Sequence, residues 1–152
     1  KPGAGVLQVA ADNQVPVLMI EKKDFEQGNM YVKELSKYEI GFIVLAGFLW
    51  KMPEAFLNAY PRHIINIHPA LLPKYGGKGM YGSHVHEAVI AAGEKESGIT
   101  IHYVNGQYDE GEHLFQASCT VDASDTTDTL AIKVHALEHL PRVIEDVIEG
   151  KL

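Results

Sequence analysis

The run Ile64-Ile65-Asn66-Ile67-His68 passes directly into Pro69-Ala70-Leu71-Leu72-Pro73-Lys74-Tyr75, and this junction constrains the chain more than any other segment. β-Branched residues favour an extended strand, and a proline-bracketed loop stops it. Side chains alternate faces along a strand, so Asn66 and His68 share one face while Ile65 and Ile67 share the other. Two polar groups at the end of an apolar strand fall where open α/β sheets form their ligand crevices. An amide N–H can hold a developing oxyanion, and an imidazole can stabilise charge or move a proton. The pair therefore suits chemistry at a carbonyl carbon. A satisfied histidine beside a capping asparagine is the plainer alternative. The following loop, about fifteen residues long, exceeds ordinary connections and favours a functional role.

The flanking pattern defines the fold class. Val6 to Asn13 reads as a helix, Pro16 to Ile20 as a short buried strand, Glu21 to Gly28 as a charged loop and Asn29 to Tyr38 as a helix. Gly41 to Ala46 is continuously apolar, the pattern of a central parallel strand covered on both faces. Pro53 opens a helix reaching Tyr60, and His84 to Ala92 forms another that Gly93 ends. Gly98 to Val104 and Glu112 to Val121 read as an antiparallel strand pair joined by the turn Asn105 to Gly111. Thr129 to Glu149 reads as one long amphipathic helix. The expectation is a single α/β domain over residues 1–152. It has a mainly parallel, Rossmann-like sheet with flanking helices, completed by a C-terminal antiparallel strand pair plus a long helix. Such domains normally open with a strand, whereas this sequence opens in what reads as the latter part of a helix, Val6 to Asn13, so a first βα unit is expected to be missing.

Composition narrows the partners. A formal charge of −7 argues against nonspecific nucleic-acid binding and requires a local positive field for any anionic substrate. The single cysteine, Cys119, excludes a disulfide framework and fits a reducing, cytoplasmic setting. The longest apolar stretch is interrupted at Gly47, well short of the roughly 20 residues of a membrane span.

Other candidates are weaker when taken alone. Asp109 lies in Asn105-Gly106-Gln107-Tyr108-Asp109-Glu110-Gly111, which is ordinary turn chemistry unless the acid meets His68. In that case it would orient the imidazole and raise its pKa. His84-Val85-His86 lacks acids at ligand spacing, so helix capping or loop anchoring is expected and no metal. Leu49-Trp50-Lys51-Met52 follows an apolar strand and suits either core packing or a slot for a flat aromatic ligand. Gly76-Gly77-Lys78-Gly79 lacks the spacing of a phosphate-binding P-loop. Glu138, on the final helix, reads as a solvated side chain.

Several blocks, in order, resemble one family. They are Val44-Leu45-Ala46-Gly47-Phe48, Asn66-Ile67-His68-Pro69-Ala70-Leu71-Leu72-Pro73-Lys74-Tyr75, His84-Val85-His86, His102-Tyr103-Val104, Tyr108-Asp109-Glu110-Gly111 and Glu138-His139. Together they resemble the phosphoribosylglycinamide formyltransferases, folate-dependent enzymes of purine biosynthesis. The Asn-x-His-Pro-x-Leu-Leu-Pro block is specific for folate-dependent formyltransferases, and the His-x-His continuation is similar to the glycinamide ribonucleotide branch. The resemblance implies formyl transfer from the co-substrate 10-formyltetrahydrofolate to the amine of glycinamide ribonucleotide, without a metal, in the cytoplasm, by a monomer or weak homodimer. A hydrolase or another amine formyltransferase using the same folate is the alternative. Asn66, His68 and Asp109 are implied as catalytic. Leu49, Trp50, Lys51, Met52, Asn66, Asn105, Gly106, Gln107, Tyr108 and Asp109 are implied at the folate site, and Glu138 at the substrate amine. Some sequence features depart from the family. Its glycine-rich phosphate loop has its natural place before Lys1, Gly28 stands where some members carry a basic residue, Trp50 stands where bacterial members have arginine, and Gly76 to Ser83 is longer.

Overall fold

In the computed structural model, which describes residues 3–152, the β-branched run forms strand β2 (Ile64–His68) inside a four-stranded sheet. Beside it lie β1 (Ile43–Ala46) on one side and β3 (Glu96–Tyr103) on the other, with β4 (His113–Thr120) beyond β3. β1 runs parallel to β2, whereas β3 is antiparallel to both β2 and β4. The architecture is thus an α/β sheet with one parallel pair and the expected antiparallel C-terminal pair. Asn66 lies opposite His102 and His68 opposite Thr100. Thr100 in turn lies opposite Gln116, and a register irregularity follows between Ile101 and His102.

Seven helices flank these strands among the described residues: α1 (Gly5–Asp12), α2 (Lys22–Phe25), α3 (Asn29–Ser36), α4 (Glu54–Ala59), α5 (Ser83–Ala91), α6 (Thr127–His135) and α7 (Leu140–Ile148). One apolar cluster gathers Phe25, Tyr31, Met52, Phe56, Tyr60 and Ile64, with Phe48 and Trp50 packed against it. A second joins Val89 of α5 to Ile99, Leu130 and Val134, and a third sets Val143 of α7 on Ile65 and Ile101. Alternation along β2 therefore divides its side chains between different apolar clusters and the polar end that carries the site.

Three expectations are corrected. Pro16 to Ile20 forms no strand, because no described strand hydrogen-bonds to it, and Val17, Leu18 and Met19 are exposed. The apolar run 41–46 yields a four-residue strand at the edge of the described sheet, with Val44 exposed, so it is not covered on both faces. The long helix divides into α6 and α7 around 136–139. Pro141 stands in the first turn of α7, where it needs no N–H. In a continuous helix its ring would collide with the carbonyl four residues earlier. The break ends α6 at His135 and starts α7 at Leu140, so no single helical face runs from 129 to 149. The charged loop 21–28 also contains the single turn α2, which anchors the buried Phe25.

Ile65 is fully buried, and Val6 is 67% exposed. Ile65→Ala is expected to cost about 2–5 kcal/mol of unfolding free energy, and Val6→Ala less than about 0.5. Urea denaturation of the two variants checks this, and equal midpoints would show that the β2 face is not the core.

Candidate active site

Asn66 and His68 come from the end of β2, and His102 from the facing position of β3. Asp109 comes from the turn after β3. It adopts a left-handed backbone (φ 57°) that aspartate tolerates better than most side chains. Gly111 lets that turn close against β3, since a Cβ there would lie 1.6 Å from the Tyr103 carbonyl oxygen. The turn thereby returns Asp109 to the tips of β2 and β3.

Carbonyl oxygens only accept, which assigns the protons. His68 Nε2 donates to the Tyr75 carbonyl at 2.7 Å, leaving Nδ1 turned toward Asp109 Oδ2 at 3.6 Å. Asp109 Oδ2 also accepts the Gly77 N–H at 2.9 Å, while Oδ1 lies 3.5 Å from His102 Nε2. His102 Nδ1 donates to the Tyr103 carbonyl at 2.8 Å. In the neutral ring, Nε2 then accepts from Asn66 Nδ2 at 3.2 Å. The four side chains form one connected polar group with the amide of Asn66 held by His102.

Burial lowers the pKa of His68, outweighing the raising effects of the Asp109 charge and the Tyr75 carbonyl. Asp109 acts on the imidazole in the expected direction, but burial outweighs it and favours the neutral ring. Asp109 is opposite in behaviour. Burial favours its acid form, yet the adjoining His102, the hydrogen bond from the Gly77 N–H and the nearness of His68 hold its pKa below the usual aspartate value. An ionised carboxylate thus faces a neutral imidazole, with the imidazolium one proton away.

The loop after His68 is anchored by residues that sequence reasoning missed. Buried Thr100 donates from Oγ1 to the Ala70 carbonyl and accepts the Leu72 N–H at 3.0 Å. Gln116 Nε2 donates both to Thr100 Oγ1 and to the Leu72 carbonyl. Thr100 and His102 share one strand face, and polar residues at that spacing within an apolar strand were the available signal. Of the two expectations for His84 and His86, helix capping fails, while His84 packs against Tyr81 of the preceding loop. Helix α5 has Gly82 at its N-cap and no side-chain cap bond. His84 is exposed beside the Tyr81 ring, whereas His86 is buried with Nδ1 unpartnered, edge-on to His135 at 6.3 Å. Burial, then His135 and His68, lower the His86 pKa.

Two cavities meet at this group. The larger, about 620 Å³, is lined by Leu49, His68, the loop Gly77 to Gly82, and Val134, His135 and Leu137 from the end of α6. The smaller, about 50 Å³, is lined by Trp50, Lys51, Met52, His102, Asn105 and Gln107. Phe48, Asn66, Tyr108 and Asp109 line both. The smaller cleft is far below the roughly 300 Å³ of ordinary ligand pockets, so it encloses only part of a fused-ring ligand unless side chains move. Of the sequence-derived folate residues, Leu49 faces the larger cavity, and Gly106 lines neither. Glu138 is exposed in the α6–α7 break and lines neither cavity, one residue beyond Leu137.

A strand-end amide, an imidazole–carboxylate pair and two adjoining clefts could serve the transfer of an acyl group between two ligands. The model of the formyl transferase family matches residues 1–148, and the chain belongs to that family. It is 43% identical to a chloroplastic phosphoribosylglycinamide formyltransferase of Arabidopsis thaliana over 144 residues, covering 91% of this chain and 49% of that protein. The Bacillus subtilis phosphoribosylglycinamide formyltransferase is 34% identical over 154 residues, 97% of this chain and 76% of that one. Among solved structures, the phosphoribosylglycinamide formyltransferase of Bacillus halodurans superposes with a TM-score of 0.87 at 32% identity, over 100% of this chain and 79% of that one. The chain spans about half the length of the plant relatives it matches.

The lowered pKa values of His68 and His86 set a pH dependence. The unfolded chain binds protons on both near pH 6.5, while the fold resists them, so stability is complete above that value and falls as pH drops through it. Urea unfolding between pH 7.5 and about 5.5 is expected to show this decline, and His86→Leu to flatten it. An unchanged slope in the variant would remove His86 from the account.

Proposed function

We propose that this protein transfers the formyl group of 10-formyltetrahydrofolate to the amine of glycinamide ribonucleotide, a step of purine biosynthesis. The observation that carries the reading is that Asn66 and Asp109 line both cavities, so one polar group serves two ligands at once. Trp50, Lys51, Met52, Asn105, Gln107 and Tyr108 suit the folate side of that junction, and the larger cavity suits the ribonucleotide. The free thiol of Cys119 fits a reducing compartment such as the cytoplasm, and among the described residues no helix is long and apolar enough to cross a membrane. Glu138 is proposed to approach the acceptor from the α6–α7 break. The protein is read as acting as a monomer or weak homodimer.

The folate supplies the formyl carbon; the chain supplies orientation, charge stabilisation and proton transfer. Asn66 directs an amide N–H at the formyl oxygen as the acceptor nitrogen bonds to the formyl carbon and negative charge gathers on that oxygen. His68 and Asp109 take the proton that the amine sheds. Nδ1 of neutral His68 is free to accept it, and ionised Asp109 stabilises the resulting imidazolium. Return of the oxygen electron pair breaks the carbon–nitrogen bond to the folate, and the same pair returns the proton to the departing nitrogen. The lowered His68 pKa keeps the base unprotonated until that charge develops.

His68→Ala and Asp109→Ala are each expected to lower kcat about 10²–10⁴-fold while weakening folate binding far less. Steady-state kinetics combined with folate titration measure the split, and equal losses of rate and binding would count against the assigned roles. Assays with glycinamide ribonucleotide, water and another sugar-nucleotide amine as acceptors test the activity itself. Turnover with water alone would favour the hydrolase.

A further inference from the structure

The larger cavity contains a cation that the transfer chemistry leaves unused. Among the Lys, Arg, Asp, Glu and His residues lining it, His68 and Asp109 face one another, and His135 stands against the buried His86 ring. The remaining one is Lys78, the only lysine or arginine of that lining. It makes no ion pair among the described residues, whereas Lys74, four residues earlier, is held by Glu94 at 2.8 Å. Lys78 follows Gly77, whose N–H is bound by the catalytic carboxylate, and precedes Gly79. Both glycines have positive φ, 94° and 91°. The hydrogen bond to Asp109 therefore fixes the backbone next to Lys78 relative to the reacting group, while the glycines admit the turn.

We propose that Lys78 binds the phosphate of the acceptor ribonucleotide. This rests on the formyl-transfer reading, which puts the acceptor in the larger cavity. An acceptor whose amine meets Asp109 and His68 must carry its phosphate to another part of the same cavity. A chain with a net charge of −7 offers that dianion no general attraction, so a local cation is required. A lysine on a flexible stem is a point charge well suited to a phosphate. The folate carboxylates are the competing source of anionic charge. The cleft on the folate side contains a lysine of its own, Lys51, and Lys78 does not line it.

The test compares wild type, Lys78→Gln and Lys78→Arg in the natural full-length protein. Steady-state kinetics are run with glycinamide ribonucleotide and with glycinamide riboside, which lacks the phosphate, and ribonucleotide binding is measured by calorimetry. Lys78→Gln is expected to raise KM and Kd for the ribonucleotide about tenfold or more, to change kcat far less and to leave folate KM unchanged. Lys78→Arg should recover most of the loss, and the riboside should not distinguish wild type from Lys78→Gln. Ribonucleotide binding that ignores the substitution, an equal penalty with the riboside, a penalty confined to folate, or no ribonucleotide binding by wild type would each overturn the proposal. Ribonucleotide binding that depends on Lys78 without any formyl transfer would overturn the activity reading and leave the phosphate contact standing.

Discussion

The antiparallel register between β2 and β3 is the constraint on which the site depends. It puts Asn66 opposite His102 and His68 opposite Thr100, and the β3–β4 register continues the row to Gln116. Each of these cross-strand neighbours has a task. His102 holds the Asn66 amide, while Thr100 and Gln116 hold the loop whose Tyr75 carbonyl fixes the His68 ring. A slip of one residue would turn these side chains to the opposite face of the sheet and bring isoleucines in their place. Burial of Ile65 and Ile101 beneath α7 opposes that slip, so packing on one face enforces the chemistry on the other.

That packing also sets the electrostatics. Exposure would let His68 take up a proton readily beside Asp109. Enclosure by the loop and the neighbouring strands instead favours the neutral ring, and the pair faces the cavity as a base beside a carboxylate. Asp109 is held toward the carboxylate form by the adjoining His102 and by the hydrogen bond from the Gly77 N–H, against the effect of burial. The resulting pair is poised, since negative charge developing nearby makes the imidazolium favourable without any structural change.

The two cavities give this chemistry direction. The aromatic cluster of Phe25, Phe48, Trp50 and Phe56 forms the support behind the smaller cleft, with Phe25 and Phe48 centroids 5.2 Å apart. Trp50 and Met52 thus serve both as core and as lining, which removes the choice that the strand-exit residues posed. On the other side, Pro141 ends one helix register and begins another. The end of α6 borders the larger cavity together with the glycine-rich loop.

The sequence by itself determined the α/β class, strand β2 and the helices after Pro53 and before Gly93. It also placed the amide and imidazole together, because alternation and turn chemistry are local properties of neighbouring residues. Asp109 was visible as a candidate through family likeness, although its own neighbours offered only a turn. Tertiary structure decided the rest. Whether an apolar run becomes a central strand or an edge depends on which strands flank it, and 41–46 and 16–20 differed from expectation for that reason. The direction of the His68 pKa depended on burial, which spacing does not encode. His102, Thr100 and Gln116 acquired their roles from partners dozens of residues away, and Lys78, unremarkable in its glycine-rich segment, acquired its own from the cavity that the folded chain closes around it.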